Sequence, residues 1–126
     1  MIVFTNGCFD ILHRGHVEYL KESKKLGTYL IVGINSDNSV KRLKGETRPI
    51  NNQWDRKIVL EELRCVDEVV IFEEDTPYDL IKRIAPDIIT KGGDYKVEEV
   101  VGHDLATTII IPYLEGYSTS SVLKKL

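Results

Sequence analysis

Short apolar runs alternate with longer amphipathic stretches along this chain, and the alternation predicts strands that are connected by helices. The apolar runs predict five strands, over Ile2–Thr5, Tyr29–Ile34, Glu68–Phe72, Asp87–Thr90 and Thr108–Tyr113. The amphipathic stretches predict four helices, over His16–Leu26, Gln53–Arg64, Pro77–Ile84 and Ser118–Leu126. Between Asn35 and Asn52 the sequence is polar and basic, and we predict a loop there.

Local signals refine the ends and the faces of these helices. Gly27 follows the first helix at the position of a C-terminal cap, and Thr76 precedes the third helix as a candidate N-cap. The apolar positions of the second helix include Trp54, Ile58 and Leu60.

Strands that are apolar on both faces and are linked by helices predict a parallel sheet that is covered on both sides. No repeat and no Gly/Ser/Pro-rich linker divides the sequence. We therefore expect one Rossmann-like domain over residues 1–126, with three α/β/α layers and five parallel strands. Ligands bind beyond the carboxyl ends of such strands, so functional residues are expected after Thr5, Ile34, Thr90 and Tyr113.

Composition and charge narrow the class of protein. Of the 126 residues, 42% are hydrophobic and 29% are charged, as in an ordinary globular domain. Seventeen Lys and Arg against 20 Asp and Glu give a net charge of −3, which argues against electrostatic capture of nucleic acid. No apolar run approaches the roughly 18 residues that a membrane span needs. With two cysteines and no signal-peptide pattern, we expect a cytoplasmic protein without nucleic-acid or membrane partners.

The segment after the first predicted strand carries the most distinctive chemistry. His13 and His16 are three residues apart at a helix start, so both imidazoles face the same way and can charge near neutral pH. Gly7 and Gly15 leave room for a ligand, and free amides at a helix N-terminus favour an anion. The pattern predicts a phosphate site. Two other interpretations stay open, namely structural or solvated histidines and half of a zinc site that lacks a third ligand.

The same segment resembles the signature of the cytidylyltransferase-like nucleotidyltransferases, whose hallmark is His-x-Gly-His. Here Gly7–Asp10 is followed by His13–His16. Six further segments match in the same order: Asn35–Asp37, Arg42–Gly45, Arg48-Pro49, Leu63–Asp67, Lys91–Tyr95 and Glu115–Ser120. Within the family the segments are most similar to the adenylyltransferases that act on heptose 1-phosphate.

The resemblance implies transfer of AMP from ATP to D-glycero-D-manno-heptose 1-phosphate, giving ADP-heptose and pyrophosphate. The implied mechanism is direct in-line attack by the acceptor phosphate, an anion that needs no strong general base. The resemblance further implies Mg²⁺ that accompanies ATP, and a homodimer.

The resemblance also implies roles for individual residues. It assigns catalysis to His13, His16 and Lys44, whose donors neutralise charge on phosphates. It assigns acceptor binding to Asp10, Lys44 and Asp94, and no metal ligand is assigned. It assigns nucleotide binding to both histidines and to nine further residues: Gly7, Cys8, Phe9, Gly92, Asp94, Glu115, Ser118, Thr119 and Ser120.

Three alternative functions stay open from the sequence. The segment from Gly102 to Thr107 is short, as in a CTP-dependent glycerol-3-phosphate cytidylyltransferase. A flavin-type adenylyltransferase has a similar architecture. A nucleotide-sensing module would bind without turnover, although His13, His16 and Lys44 together argue against it.

Overall fold

One parallel five-stranded sheet organises the protein, as described by a computed structural model for residues 1–112. The strands are β1 (Ile2–Gly7), β2 (Tyr29–Asn35), β3 (Glu68–Phe72), β4 (Ile88–Gly92) and β5 (Thr107–Ile111), in the spatial order β3-β2-β1-β4-β5. The helices are α1 (Arg14–Lys24), α2 (Asp37–Lys44), α3 (Gln53–Glu61) and α4 (Tyr78–Ile84), with a 3₁₀ turn at Val97–Glu99. The predicted Rossmann-like fold is confirmed, and the predicted helix over Ser118–Leu126 lies outside the described residues.

Two apolar layers hold the helices against the sheet, because successive strand residues point to opposite faces. Val3 of β1 and Leu30 of β2 belong to one core cluster, on the face that also packs α1 and α3. Phe4 and Ile31, their neighbours in sequence, belong to the second cluster, which packs α4. The sheet is therefore covered on both faces, which is why its central strands are mostly apolar.

The predicted loop after β2 contains a helix, so that prediction is wrong for residues 37–44. Ser36 caps helix α2 by accepting a hydrogen bond from the Ser39 amide at 3.1 Å, and Gly45 ends it with a φ of 104°. Val40 is fully buried, whereas most other positions of this short helix are polar. The helix has only two apolar residues, Val40 and Leu43, and Leu43 is 52% exposed, so its apolar pattern is too short to predict a helix from the sequence.

Both predicted helix caps also differ from the structure. Helix α1 ends at Lys24 with Lys25 as its cap, and Gly27 lies beyond it, where an added Cβ would sit 2.6 Å from the Met1 carbonyl oxygen. Helix α4 begins at Tyr78 after Pro77, without a side-chain cap, so the prediction of a Thr76 cap is wrong.

The chain order of the strands creates a crevice beside β1. From β1 the chain proceeds outward to β2 and β3, then returns to the other side of β1 for β4 and β5. The connection after β1 therefore leads to one side of the sheet and the connection after β3 leads back to the other. Open α/β sheets bind ligands at the point between β1 and β4 where the strand order reverses in this way. No helix within residues 1–112 has the length and apolar character needed to cross a membrane.

Candidate active site

A cavity of about 610 Å³ opens at the carboxyl ends of β1, β4 and β5. It is walled by the loop after β1, the first turns of α1, the end of α2 and the last residues of β4 and β5. Its lining residues are Asn6, Gly7, Cys8, Phe9, Asp10, His13, Arg14, Gly15, His16, Glu18, Tyr19, Glu22, Lys44, Arg48, Lys91, Gly92, Ile111 and Pro112. Most of the site residues predicted in the described part of the chain are therefore brought to one cavity.

His13 and His16 form the N-terminal cap of α1 and lie against each other. The Nδ1 atom of His13 accepts the Gly15 amide at 3.1 Å, and the Nδ1 atom of His16 accepts the His13 amide at 3.3 Å. The two ring centroids are 4.0 Å apart. The capping histidines thus engage the amides of His13 and Gly15, so the prediction of free helix amides is wrong for these two groups.

These two hydrogen bonds identify the tautomer of each imidazole ring. A neutral imidazole whose Nδ1 accepts a hydrogen bond carries its proton on Nε2, so each ring presents an Nε2–H donor. Burial of the His16 ring, followed by the charges of His13 and Lys44, lowers the pKa of His16 to about 4. Burial also lowers the pKa of His13. The prediction that both rings charge near neutral pH is wrong for His16, which is a neutral donor at pH 7.

Phe9 fixes the position of the His16 ring from the other side. Its ring meets the His16 ring edge-on, with centroids 5.3 Å apart, and is itself buried. The backbone of Phe9 has a φ of 48°, in the left-handed region that bulky residues rarely adopt. A Cβ on Gly7 would come within 2.9 Å of the Phe9 ring. Gly7 therefore accommodates the aromatic support of His16 as well as lining the cavity.

Asp10 fastens the polar segment that follows α2 to the loop after β1. Its carboxylate accepts the Ile50 amide at 2.8 Å, the Asn51 amide at 2.8 Å and the Arg48 guanidinium at 2.9 Å. The side chain is 5% exposed. Burial acts to raise the pKa of Asp10, but these hydrogen bonds and the Arg48 charge prevail and lower it below the ordinary value. Its predicted contact with the acceptor stays a prediction.

We expect Asp10→Asn to lower the free energy of unfolding by about 2 kcal/mol at pH 7, because it removes a charged acceptor from three donors. A carboxylate with a depressed folded pKa stabilises the protein above the unfolded pKa of about 4 and loses that effect as the pH falls through the folded pKa. Urea unfolding at several pH values should show the difference from wild type shrink below about pH 4. Glu46→Gln is the control, since Glu46 is exposed. A difference that persists at pH 2 would contradict this role.

Arg56 is a structural centre of the site that the sequence did not indicate. Its guanidinium is almost fully buried and donates to the carbonyls of Cys8 at 2.8 Å, Asn35 at 2.8 Å and Asn51 at 3.0 Å. It also donates to the Asp37 carboxylate at 2.9 Å. One side chain on α3 thereby joins the loop after β1, the end of β2, the start of α2 and the polar segment. Its position on an amphipathic helix gave no signal of this burial.

Four cationic side chains line the cavity within residues 1–112, and they fall into two groups. Arg14 and Arg48 form ion pairs with Glu18 and Asp10. Lys44, at the end of α2, and Lys91, at the end of β4, have no carboxylate partner within that part of the chain. Burial lowers the pKa of Lys91. The two lysines are the cationic groups suited to an incoming anion.

The remaining predicted site residues are placed as follows. Asp94 is exposed and is not part of the cavity lining, so its contact with nucleotide or sugar stays a prediction. Glu115, Ser118, Thr119 and Ser120 lie outside the described residues. Residues 1–112 contain no group of three or more His, Cys, Asp or Glu side chains arranged to hold a metal ion.

Comparisons with known proteins agree with this geometry. A family model described as cytidylyltransferase-like matches residues 4–124. The bifunctional proteins HldE of a Nitratiruptor species and of Wolinella succinogenes are each 62% identical over 126 residues, which is 99% of this chain and 27% of each relative. The chain therefore spans about a quarter of the length of these curated relatives.

Solved structures give the same result. The lipopolysaccharide core biosynthesis protein from Thermoplasma volcanium GSS1 has a TM-score of 0.75 and 34% identity, covering 94% of this chain and 98% of that one. A pantoate-beta-alanine ligase from Francisella tularensis has a TM-score of 0.66 at 19% identity, covers 99% of this chain and 65% of that one, and is similar in fold alone.

Proposed function

The chain belongs to the cytidylyltransferase-like family of nucleotidyltransferases, as its sequence predicts, and from this premise we propose that it adenylates a sugar phosphate. The reaction is transfer of AMP from ATP to D-glycero-D-manno-heptose 1-phosphate, with release of pyrophosphate. The observation that carries the proposal is the joining of His13, His16 and Lys44 in one cavity at the sheet's carboxyl edge. The heptose acceptor is supported by the segments shared with heptose 1-phosphate adenylyltransferases and by the similarity to the HldE proteins.

The chemical step is one displacement at the α-phosphorus of ATP. An oxygen of the acceptor phosphate forms a bond to that phosphorus, and the bond to the bridging oxygen of pyrophosphate breaks. The nucleophile is already anionic, so the protein's task is to position two polyanions and stabilise the charge that develops. The Nε2–H groups of His13 and His16 donate to the phosphate oxygens as pyrophosphate leaves, and the Lys44 ammonium neutralises further charge.

Neutral histidines suit this step. Because the pKa of His16 is about 4, its ring enters the reaction as a hydrogen-bond donor that needs no change of protonation. The buried position of the ring, against Phe9 and His13, means that little reorganisation accompanies binding.

Magnesium is proposed to enter with ATP as part of the substrate. The Asp10 carboxylate, in the loop after β1, already accepts hydrogen bonds from three protein donors. It is therefore poorly suited to ligate a metal ion. Phosphate oxygens and water are the ligands that Mg²⁺ commonly keeps in such sites. A homodimer is likewise proposed from the family resemblance.

The proposed function is tested by pyrophosphate release with ATP and heptose 1-phosphate, using two lysine variants on one helix. Both lysines lie in the last turn of α2 and both are exposed, but Lys44 lines the cavity and Lys41 does not. We expect Lys44→Met to lower kcat/KM by roughly 30-fold or more, as for the loss of a charged contact, and Lys41→Met to change it less than about twofold. Equal losses in the two variants would mean that the wrong lysine has been assigned.

A further inference from the structure

Lys91 is a cation of the cavity that has no role in the mechanism proposed above. It follows Thr90 at the carboxyl end of β4, pairs in register with Ile110 of β5, and lines the same cavity as the histidines. Within the motif from Lys91 to Tyr95, the resemblance assigns roles to Gly92 and Asp94 and none to Lys91. In the structure the lysine and Gly92 form the cavity wall, and Asp94 lies outside it.

The Lys91 ammonium has an incomplete set of interactions for a half-buried charge. Its described neighbours are the ring of Tyr95, whose centroid is 5.2 Å from Nζ, and Cys8, whose electrostatic interaction acts to raise the pKa of Lys91 against the effect of burial. None of the seven ion pairs within residues 1–112 includes Lys91. Removing a cation from water without an anionic partner is unfavourable, and an anion that enters the cavity would offset that cost. The site around Lys91 is therefore suited to an anionic group.

The topology separates Lys91 from Lys44, the other lysine of the cavity. Lys44 ends α2, the helix after β2, which lies on one side of β1, whereas Lys91 is the next-to-last residue of β4, which lies on the other side. Lys44 and His13 are close enough to His16 for their charges to lower its pKa. The cavity thus carries positive charge at two places that flank the end of β1.

Two separate cationic groups match the needs of an in-line displacement. The entering and the leaving oxygen lie on opposite sides of the α-phosphorus, and both belong to phosphate groups that repel each other. Assigning the histidines and Lys44 to the triphosphate, in place of the acceptor contact that the resemblance implies for Lys44, leaves the second cation for the acceptor. Resting on the proposed function, we propose that Lys91 binds the phosphate of the sugar phosphate acceptor and offsets its repulsion from ATP.

The test separates the two substrates by steady-state kinetics and by ATP binding. We expect Lys91→Met to raise the KM for heptose 1-phosphate by roughly 10- to 100-fold, which corresponds to the loss of one charged hydrogen bond. The dissociation constant for MgATP, measured by calorimetry, should change less than about threefold. Lys91→Arg should restore most of the acceptor affinity, and inorganic phosphate should inhibit wild type competitively against the acceptor but inhibit Lys91→Met much less.

The matched control is Lys82→Met, which removes the same charge from an exposed position on α4. An unchanged acceptor KM in Lys91→Met, or an equal loss of ATP affinity, would overturn the assignment while leaving the wild-type activity as proposed. Wild type that releases no pyrophosphate from ATP and heptose 1-phosphate would instead overturn the proposed function and this inference with it.

Discussion

Replacing His16 with alanine is expected to lower kcat for adenylyl transfer by roughly 10²–10³, as for the removal of one donor to a developing oxyanion. The ring is held between Phe9 and His13, and its Nδ1 atom accepts the His13 amide. This leaves Nε2–H in a fixed direction at pH 7. Rapid-quench measurement of ADP-heptose formation at saturating ATP and acceptor would give the effect on the chemical step.

A second substitution distinguishes the chemistry of His16 from its role as a helix cap. Alanine also removes the ring nitrogen that accepts the His13 amide at the start of α1, which lowers the free energy of unfolding by about 1 kcal/mol. Glutamine at the same position can accept the His13 amide through its side-chain oxygen, as in a capping box, but does not reproduce the imidazole donor. His16→Gln should therefore retain stability and still lose at least about tenfold in kcat. Wild-type kcat in either variant would contradict a catalytic role.

We expect the enzyme to prefer ATP with heptose 1-phosphate over CTP with glycerol 3-phosphate. The ratio of the two kcat/KM values should be roughly 100-fold or more. A site that hydrogen-bonds several hydroxyl groups penalises an acceptor that lacks them, by about 1–3 kcal/mol for each buried group left unpaired. Gly92 lines the cavity and Gly93 is buried beside it, so the end of β4 leaves room for a bulky sugar. A panel of nucleotides and acceptors, scored by pyrophosphate release, measures this preference.

The structure weakens the sequence feature that favours the rival activity. None of the residues of the short segment, Gly102 to Thr107, lines the cavity. Asp104 accepts a hydrogen bond from the Tyr78 hydroxyl at 2.8 Å, and a Cβ on Gly102 would come within 2.8 Å of Ile81. The segment packs against α4, so its length bears on the fold of that edge. A measured preference for CTP and glycerol 3-phosphate would nevertheless reverse the assignment.

The strands and the histidine pair could be predicted from the sequence because each depends on local pattern. Runs such as Tyr29–Ile34 are apolar on both faces since both faces are covered, and the spacing of His13 and His16 is sufficient to bring their rings together. Helix α2 was missed because it is eight residues long and has only two apolar positions, Val40 and Leu43, although Ser36 and Gly45 marked its ends.

The supporting residues could not be predicted because their roles depend on long-range contacts. On α3, Trp54 is 60% exposed and Ile58 is 59% exposed, whereas the charged Arg56 is 2% exposed. The carbonyls that satisfy Arg56 come from segments distant in sequence. Similarly, the local pattern after β4 did not indicate whether Lys91 or Asp94 enters the cavity. The low pKa of His16 also depends on burial that only the packed structure shows.

The most direct test of the proposed reaction follows the acceptor's own oxygen atoms. Heptose 1-phosphate labelled with ¹⁸O in its phosphate is incubated with unlabelled ATP, and the products are analysed by mass spectrometry and ³¹P NMR. Attack by the acceptor phosphate at the α-phosphorus predicts that every labelled oxygen appears in ADP-heptose, one of them as the new bridge, with an equal amount of unlabelled pyrophosphate. Label in the pyrophosphate, or release of AMP without ADP-heptose, would contradict direct adenylyl transfer at this site.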